Sequence, residues 1–261
     1  MRLSRQNLGA SQASITRQRT LVEVVIVFAL SLGASALYSI VSLIGKLTAP
    51  SGLAGQTSKI NQSLSEREWQ DLAYQLLGIS LGLAPVALVI FLLWNSESTG
   101  FSKVGFTLKH VGSDSLRGLA IAASIGIPGI ALYLGARALG LSSKVEPASL
   151  GGYWWVVPVL LLAAIKAAVL EEVIVVGYLH NRLRFLGLSN NQILWISAVI
   201  RGSYHLYQGF GGFVGNLVMG LVFMKIYQRV GRTTPLVIAH FLMDAFVFIG
   251  YAYLAKVIAL P

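Results

Sequence analysis

Six of the ionisable side chains inside apolar stretches of the chain fall into three groups whose spacing could support chemistry. They are Glu171 and Glu172 in LEEVIVVGYL, Arg201 and His205 in RGSYH, and His240 and Asp244 in HFLMD. The last two groups are pairs separated by four residues, which in an α-helix share one face. Carboxylates and imidazoles activate water, either directly as general bases or through a metal ion. The spacing therefore predicts three helices that present polar faces to a common interior.

The composition of the chain indicates the elements that must hold these groups. Of its 261 residues, 55% are hydrophobic and only 11% are charged, about half the charged fraction of a soluble domain. Apolar blocks of about 20 residues recur, the length at which a helix crosses a hydrocarbon core of ~30 Å. We therefore predict an all-α protein, a polytopic transmembrane helix bundle with about seven spans. The predicted spans are approximately 21–45, 71–94, 118–136, 153–179, 191–208, 210–229 and 234–258.

The chain divides into a basic cytoplasmic leader at 1–20, two spans with a polar loop at 21–100, and a core at 101–261 that contains all six polar residues. Most Lys and Arg residues fall in cytoplasmic loops if the N-terminus is inside, as the positive-inside rule requires. We therefore predict a multi-pass protein of the cell membrane with a cytoplasmic N-terminus.

The net charge of +10 is spread among short loops rather than gathered on one face. Attraction to the bilayer explains this pattern, so the predicted partner is membrane lipid and nucleic acid is excluded. The chain has no cysteine, which excludes disulfides, a thiol nucleophile and thiolate metal sites.

Burial makes the six polar residues costly unless they meet. An ionisable group at bilayer depth costs at least ~2.5 kcal/mol, whereas carboxylates, a guanidinium and imidazoles can satisfy one another in a bundle centre. Glu171 and His240 fall at similar depths from the cytoplasmic side, but His205 falls one to two turns too far. A tilted helix, long side chains or a break at Gly202 could close this gap. A polar cluster that only holds helices together is the alternative interpretation.

The three motifs resemble those of a known family. EEVIVVGYL, RGSYHLYQG and TPLVIAHFLMD are similar, in that order, to EExxxR, FxxxH and Hxxx(N/D) of the CAAX prenyl endopeptidase and bacteriocin-processing (CPBP, or abortive-infection) family of intramembrane proteases. The resemblance covers about residues 100–255. Val176 stands where the first motif has arginine, and Arg201 stands where the second has phenylalanine. We hypothesise that the arginine has been exchanged between motifs one and two.

The resemblance implies an intramembrane endopeptidase that hydrolyses a peptide bond of a membrane-associated or lipidated peptide. In this assignment Glu171 is the general base and His205 helps it to activate water, while His240 donates to the developing oxyanion and Asp244 supports His240. Glu172 has two possible roles, as a catalytic partner or as the residue that pairs with Arg201.

The participation of a metal is left open by the sequence. Two histidines and a carboxylate can bind zinc with water in the fourth position, but the HExxH spacing of many zinc proteases is absent. A metal-free glutamate mechanism uses the same residues, so no metal ligands are assigned and a divalent metal such as zinc remains a possible cofactor.

Two other functions fit the same residues. A catalytically weak membrane scaffold is suggested by Val176 in place of the motif arginine. A proton-coupled transporter could use the carboxylates and histidines as a relay, although the chain has no internal repeat of the kind that many transporters contain. Peptide cleavage, partner capture and ion flux distinguish the three.

Overall fold

The fold is seen in a computed structural model that describes residues 3–257, with side chains described for residues 16–251 and 253. Part of the predicted leader, including the side chains of Arg2 and Arg5, lies outside this described part. The helices are α1 (Leu3–Ala29), α2 (Leu32–Thr48), α3 (Glu68–Gly82), α4 (Ala84–Leu93), α5 (Gly100–Val104), α6 (Val111–Ala138), α7 (Val156–Glu171), α8 (Leu179–Phe185), α9 (Asn190–Ser203), α10 (Phe210–Val230) and α11 (Thr234–Val257). The prediction of an all-α helical bundle is confirmed.

Within the described part of the chain, four helical stretches are long and apolar enough to cross a membrane: Glu68–Leu93, Val111–Ala138, Phe210–Val230 and Thr234–Tyr251. The pair Thr16–Ala29 and Leu32–Thr48, bent by 54°, makes a fifth if it is one span. The protein is therefore a multi-pass membrane protein, with four or five spans by this measure rather than the seven predicted. The difference lies at 153–179 and 191–208, where hydropathy alone did not reveal how the helices are interrupted.

The stretch predicted at 153–179 changes its helical geometry at the two glutamates. Helix α7 ends at Glu171, a π-helix runs over Glu172–Tyr178, and α8 follows directly. A π-helix makes i→i+5 hydrogen bonds, and short ones occur frequently at functional sites. All seven residues of this π-helix are buried, so its wider turn lies inside the bundle.

The stretch predicted at 191–208 is shorter than a span. Helix α9 has 14 residues, about 21 Å of helix against a core of ~30 Å. The chain then passes through a 3₁₀ turn at Leu206–Gln208 and reverses into α10 at Gly209. Gly209 has a φ of 100°, a conformation that favours glycine. We call residues 204–209 the His205 turn.

Two short strands lie next to the His205 turn. Strand β1 (Thr57–Gln62) pairs in parallel with β2 (Lys144–Ser149), with Thr57 opposite Lys144. Ser142, just before β2, forms an antiparallel bridge with Gly209. The segments between α2 and α3 and between α6 and α7, which were predicted as loops, therefore contact the turn that follows α9.

Helix contacts bring the three motifs together, since α11 packs against α7 and α9 contacts the π-helix. Helix α9 packs against α10, and α11 packs against both α6 and α7. The approach of α10 to α9 depends on Gly220, because a Cβ there would lie 2.8 Å from Cα of Ala198. The bundle thus encloses the ends of the helices that carry the three motifs.

Candidate active site

The centre of the site is an ion pair between Glu172 and Arg201. Nη2 of Arg201 donates to both carboxylate oxygens of Glu172 at 2.7 Å, and both side chains are fully buried. The guanidinium carbon lies 5.3 Å from the ring centroid of Phe223, a favourable cation–π distance. Gly220 leaves space for the arginine, since a Cβ there would be 3.3 Å from Cδ of Arg201. Packing between α9 and α10 therefore holds the guanidinium against the first motif.

Glu171 makes three contacts, all through Oε2. The hydroxyl of Tyr204 donates to this oxygen at 2.8 Å, Nη1 of Arg201 lies at 3.7 Å, and Nε2 of His205 lies at 3.9 Å. Among the described residues, Oε1 accepts no hydrogen bond. One oxygen of Glu171 is thus held in place while the other is available to accept a proton.

His240 lies between two carboxylates. Its Nδ1 is 2.7 Å from Oε1 of Glu172, and its Nε2 is 3.5 Å from Oδ2 of Asp244, one turn away on the same helix. An ionised Glu172 is acceptor-only, so the shorter contact requires the proton on Nδ1 of His240. The longer contact is at the limit of a hydrogen bond, which leaves Nε2 accessible to another group.

His205 faces Glu171 across a gap. Both of its ring nitrogens are buried, and neither has a hydrogen-bond partner among the described side and main chains. The separation of 3.9 Å between Nε2 and Oε2 of Glu171 is too long for a direct hydrogen bond, but one water molecule can bridge it. Nε and Nη1 of Arg201 likewise make no hydrogen bond within the described residues. Buried groups are rarely left unsatisfied, so the site has room for polar atoms of water or substrate.

All six residues singled out in the sequence belong to one connected cluster. Glu171 contacts Arg201 and His205, whereas Glu172 contacts Arg201 and His240. Asp244 joins the cluster through His240. His205 reaches the depth of Glu171 because α9 ends at Ser203 and the chain turns back toward the carboxylates there. The helix therefore breaks one residue beyond the suggested position, Gly202.

Tyr204 is the site residue that sequence reasoning did not identify. It is buried and donates to Glu171, although its neighbour His205 was singled out. The available sign was its position three residues after Arg201, on the same side of a helix. Ser203, for which no catalytic role was predicted, donates instead to the carbonyl of Val199 at 2.7 Å.

Three residues of the site are close enough together to be considered as ligands of a metal ion. Glu171, Glu172 and His240 each offer a ligand atom, and these atoms lie within 4.8 Å of one another. Both oxygens of Glu172 already accept from Arg201, whose guanidinium carries a permanent positive charge. A divalent cation among these atoms would be repelled by Arg201 and would have to displace it. As arranged, the three residues do not fit a metal ion.

Fold and site together define a multi-pass membrane protein in which acidic and imidazole groups from separate helices meet inside the bundle. Residues 153–246 match the family model described as Rce1-like, type II CAAX prenyl endopeptidase Rce1-like. The match includes all six site residues and supports the resemblance to the CPBP family that the motifs indicated. No curated protein and no solved structure matches the chain.

Proposed function

We propose that this protein is an intramembrane endopeptidase that uses a glutamate-activated water and needs no metal ion. The observation that carries the proposal is the gap of 3.9 Å between Oε2 of Glu171 and Nε2 of His205, whose buried ring nitrogens make no hydrogen bond in the described part of the chain. A water between them is polarised by an acceptor on each side, which is the arrangement that general base catalysis requires.

The reaction follows from these positions. Glu171 removes a proton from the water, and the water oxygen forms a bond to the carbonyl carbon of the substrate. His240 acts as an imidazolium: its Nδ1–H bonds to Glu172, and its Nε2–H donates to the carbonyl oxygen as negative charge develops there. Asp244 holds the ring from the same helix. The C–N bond then breaks, and Glu171 returns the proton to the amine nitrogen, which leaves a carboxylate and an amine.

In this mechanism Arg201 and Glu172 have a supporting role. The guanidinium compensates the charge of the two neighbouring carboxylates, and Glu172 orients His240 through Nδ1 and stabilises its protonated form. Arg201 thus supplies to the first motif the positive charge that Val176 does not. The exchange of arginine between motifs therefore favours an active enzyme over the alternative of a catalytically weak scaffold.

The proposed substrate is a membrane-associated or lipidated peptide, as the family description suggests. The bundle has an apolar groove of about 390 Å³ lined by residues that include Ile90, Trp94 and Val169, and such a groove can hold a hydrocarbon chain. Val169 is about 200° around the helix from Glu171, so the groove does not open on the same face as the carboxylate. The peptide must reach the site by a separate path.

Cleavage assays with the full chain in liposomes test the proposal. A fluorogenic peptide with a farnesylated C-terminal CAAX sequence is compared with the same peptide without the lipid. Glu171→Gln keeps the shape of the side chain but cannot act as a base, so we expect kcat to fall by about 10²–10⁴-fold. Glu146→Gln is the control, because Glu146 lies in β2, outside the site, and its ion pair among the described residues is with the exposed Lys59, at 3.9 Å.

A separate experiment tests whether cleavage needs a metal ion. We expect purified protein to contain no stoichiometric zinc and its kcat to be unchanged after dialysis against EDTA. Full loss of cleavage with the chelator, restored by zinc, would overturn this part. Cleavage by Glu171→Gln at the wild-type rate would overturn the assignment of the base, and proton-driven flux in the same liposomes without cleavage would favour a transporter.

A further inference from the structure

We propose that Lys46 is a positioning residue, which orients His205 by holding the main chain of the His205 turn. Lys46 lies in α2, more than one hundred residues before the segment 153–246 that matches the family. The inference rests on the proposed function, in which His205 polarises the attacking water. It extends that function to a residue outside the three motifs.

The contact is made through the carbonyl of Tyr207, two residues after His205. Nζ of Lys46 donates to this oxygen at 2.5 Å, and the hydroxyl of Ser58 donates to it at 2.8 Å. Lys46 also hydrogen-bonds to Ser58. An ammonium group has three donors and no acceptor capacity, so it can hold the carbonyl and the hydroxyl at the same time.

Neighbouring carbonyls of the turn are held from the same side. The oxygen of Gln208 accepts from the main-chain nitrogen of Ser143 at 3.0 Å and from its hydroxyl at 3.2 Å. The hydroxyls of Ser143 and Ser58 are 2.6 Å apart. Before His205, the oxygen of Tyr204 accepts from Ser39 at 2.9 Å. The main chain on both sides of His205 is therefore fixed by residues of α2 and β1 and by Ser143, which directly precedes β2.

This support of the main chain is important because few contacts hold the side chain of His205. Its ring nitrogens make no hydrogen bond within the described residues, and its ring only contacts Tyr204 at 4.8 Å and Tyr207 at 6.3 Å between centroids. The direction of the imidazole is set by its backbone. Lys46 is the charged member of the group that holds this backbone, and charge-assisted hydrogen bonds are the stronger ones.

The first test separates positioning from substrate binding. In liposomes with the farnesylated peptide, we expect Lys46→Met to lower kcat about tenfold and to leave KM within about twofold, since the geometry of the water changes and substrate contacts do not. Lys46→Arg retains donors for the same carbonyl, so it should recover most of the lost kcat. Lys59→Met is the control, because Lys59 is on the exposed side of β1 and its ion pair among the described residues is with Glu146, at 3.9 Å.

The second test does not depend on cleavage. The chain has four histidines, so NMR of histidine-labelled protein in detergent gives four ring signals, and the one from His205 is assigned by its loss in His205→Gln. We expect Lys46→Met to shift or broaden the His205 signal and to leave those of His110 and His180 unchanged. Lys46→Arg should restore the wild-type position, and Lys59→Met should change none of the four.

These outcomes are decisive for the proposal. An unchanged His205 signal in folded Lys46→Met, a rise in KM without a fall in kcat, or an equal loss in Lys46→Arg would each overturn the role of Lys46. Should Lys46→Met not fold, Ser58→Ala takes its place, with an expected fall in kcat of about threefold and the same shift, and no change in either would overturn the proposal. Failure of the wild-type protein to cleave any peptide would instead count against the proposed function, because the NMR result stands without it.

Discussion

Two clusters in this protein contain the same three kinds of side chain, a glutamate, an arginine and a tyrosine. In one, Nε of Arg182 is 2.7 Å from Oε1 of Glu23, to which Tyr178 also donates at 3.0 Å. We call it the Glu23 cluster. In the other, the candidate active site, Arg201 pairs with Glu172 and Tyr204 donates to Glu171.

The two clusters differ in the ratio of carboxylates to guanidinium groups and in how many polar atoms are paired. The Glu23 cluster has one carboxylate for one guanidinium, and Nη2 of Arg182 also donates to the carbonyl of Leu92 at 2.8 Å. The active site has two glutamates for one guanidinium, with two imidazoles beside them, and several of its buried nitrogens have no partner among the described residues. A closed set of contacts stabilises a fold, whereas an open set can bind and react.

Removing the arginine from each cluster gives the largest expected difference. Arg201→Ala leaves Glu172 fully buried without its counter-charge, and we expect a loss of about 3–5 kcal/mol in the free energy of unfolding together with loss of cleavage. Arg182→Ala exposes a carboxylate that is already 18% accessible, so water can replace part of the contact and the loss should be about 1–3 kcal/mol. Equilibrium denaturation in detergent measures both, and equal losses would contradict the comparison.

The exchange of arginine between motifs is tested in the same background. Val176 is fully buried in the π-helix, four residues after Glu172, so an arginine there can approach the same carboxylate. We expect Val176→Arg combined with Arg201→Ala to recover stability and part of the cleavage rate. Wild-type activity and protein level in Arg201→Ala alone would end the exchange hypothesis.

Replacing the tyrosine of each cluster with phenylalanine gives the next largest expected difference, in kcat. Tyr204→Phe removes the hydrogen bond that holds Oε2 of Glu171, and we expect kcat to fall about tenfold because the base is less well oriented. Tyr178→Phe removes the equivalent bond to Glu23 and should leave kcat within about twofold. Steady-state kinetics on the two variants decide whether the hydroxyl acts in the reaction, and matching rates would show that it does not.

The smallest effect is expected at Glu23. Glu23→Gln retains an oxygen that can accept from Arg182 but loses the charge, so stability should fall by about 1 kcal/mol. Cleavage by this variant should equal that of wild type, since Glu23 lies outside the site. A thermal melt in detergent and the peptide assay measure the two quantities, and a large loss of activity would connect the two clusters.

Much of the fold could be predicted from the sequence, because apolar blocks of this length have few alternatives to membrane helices. The helical interruptions could not. Helix α9 ends at Ser203, where a break at the neighbouring Gly202 was only one of three alternatives. The π-helix at Glu172–Tyr178 follows α7 with no proline or glycine at its start to indicate it. Both depend on hydrogen bonds and packing rather than on the polarity of the local residues.

For the site, the sequence by itself determined which ionisable groups enter the membrane and which pairs share a helical face, because helical periodicity and the cost of buried charge are local properties. Only the tertiary structure decided that Arg201 pairs with Glu172, that Tyr204 holds Glu171, and that residues from α2 and β1 support the His205 turn. These contacts join elements far apart in the chain. They depend on where helices end and how closely they approach, which local periodicity does not specify.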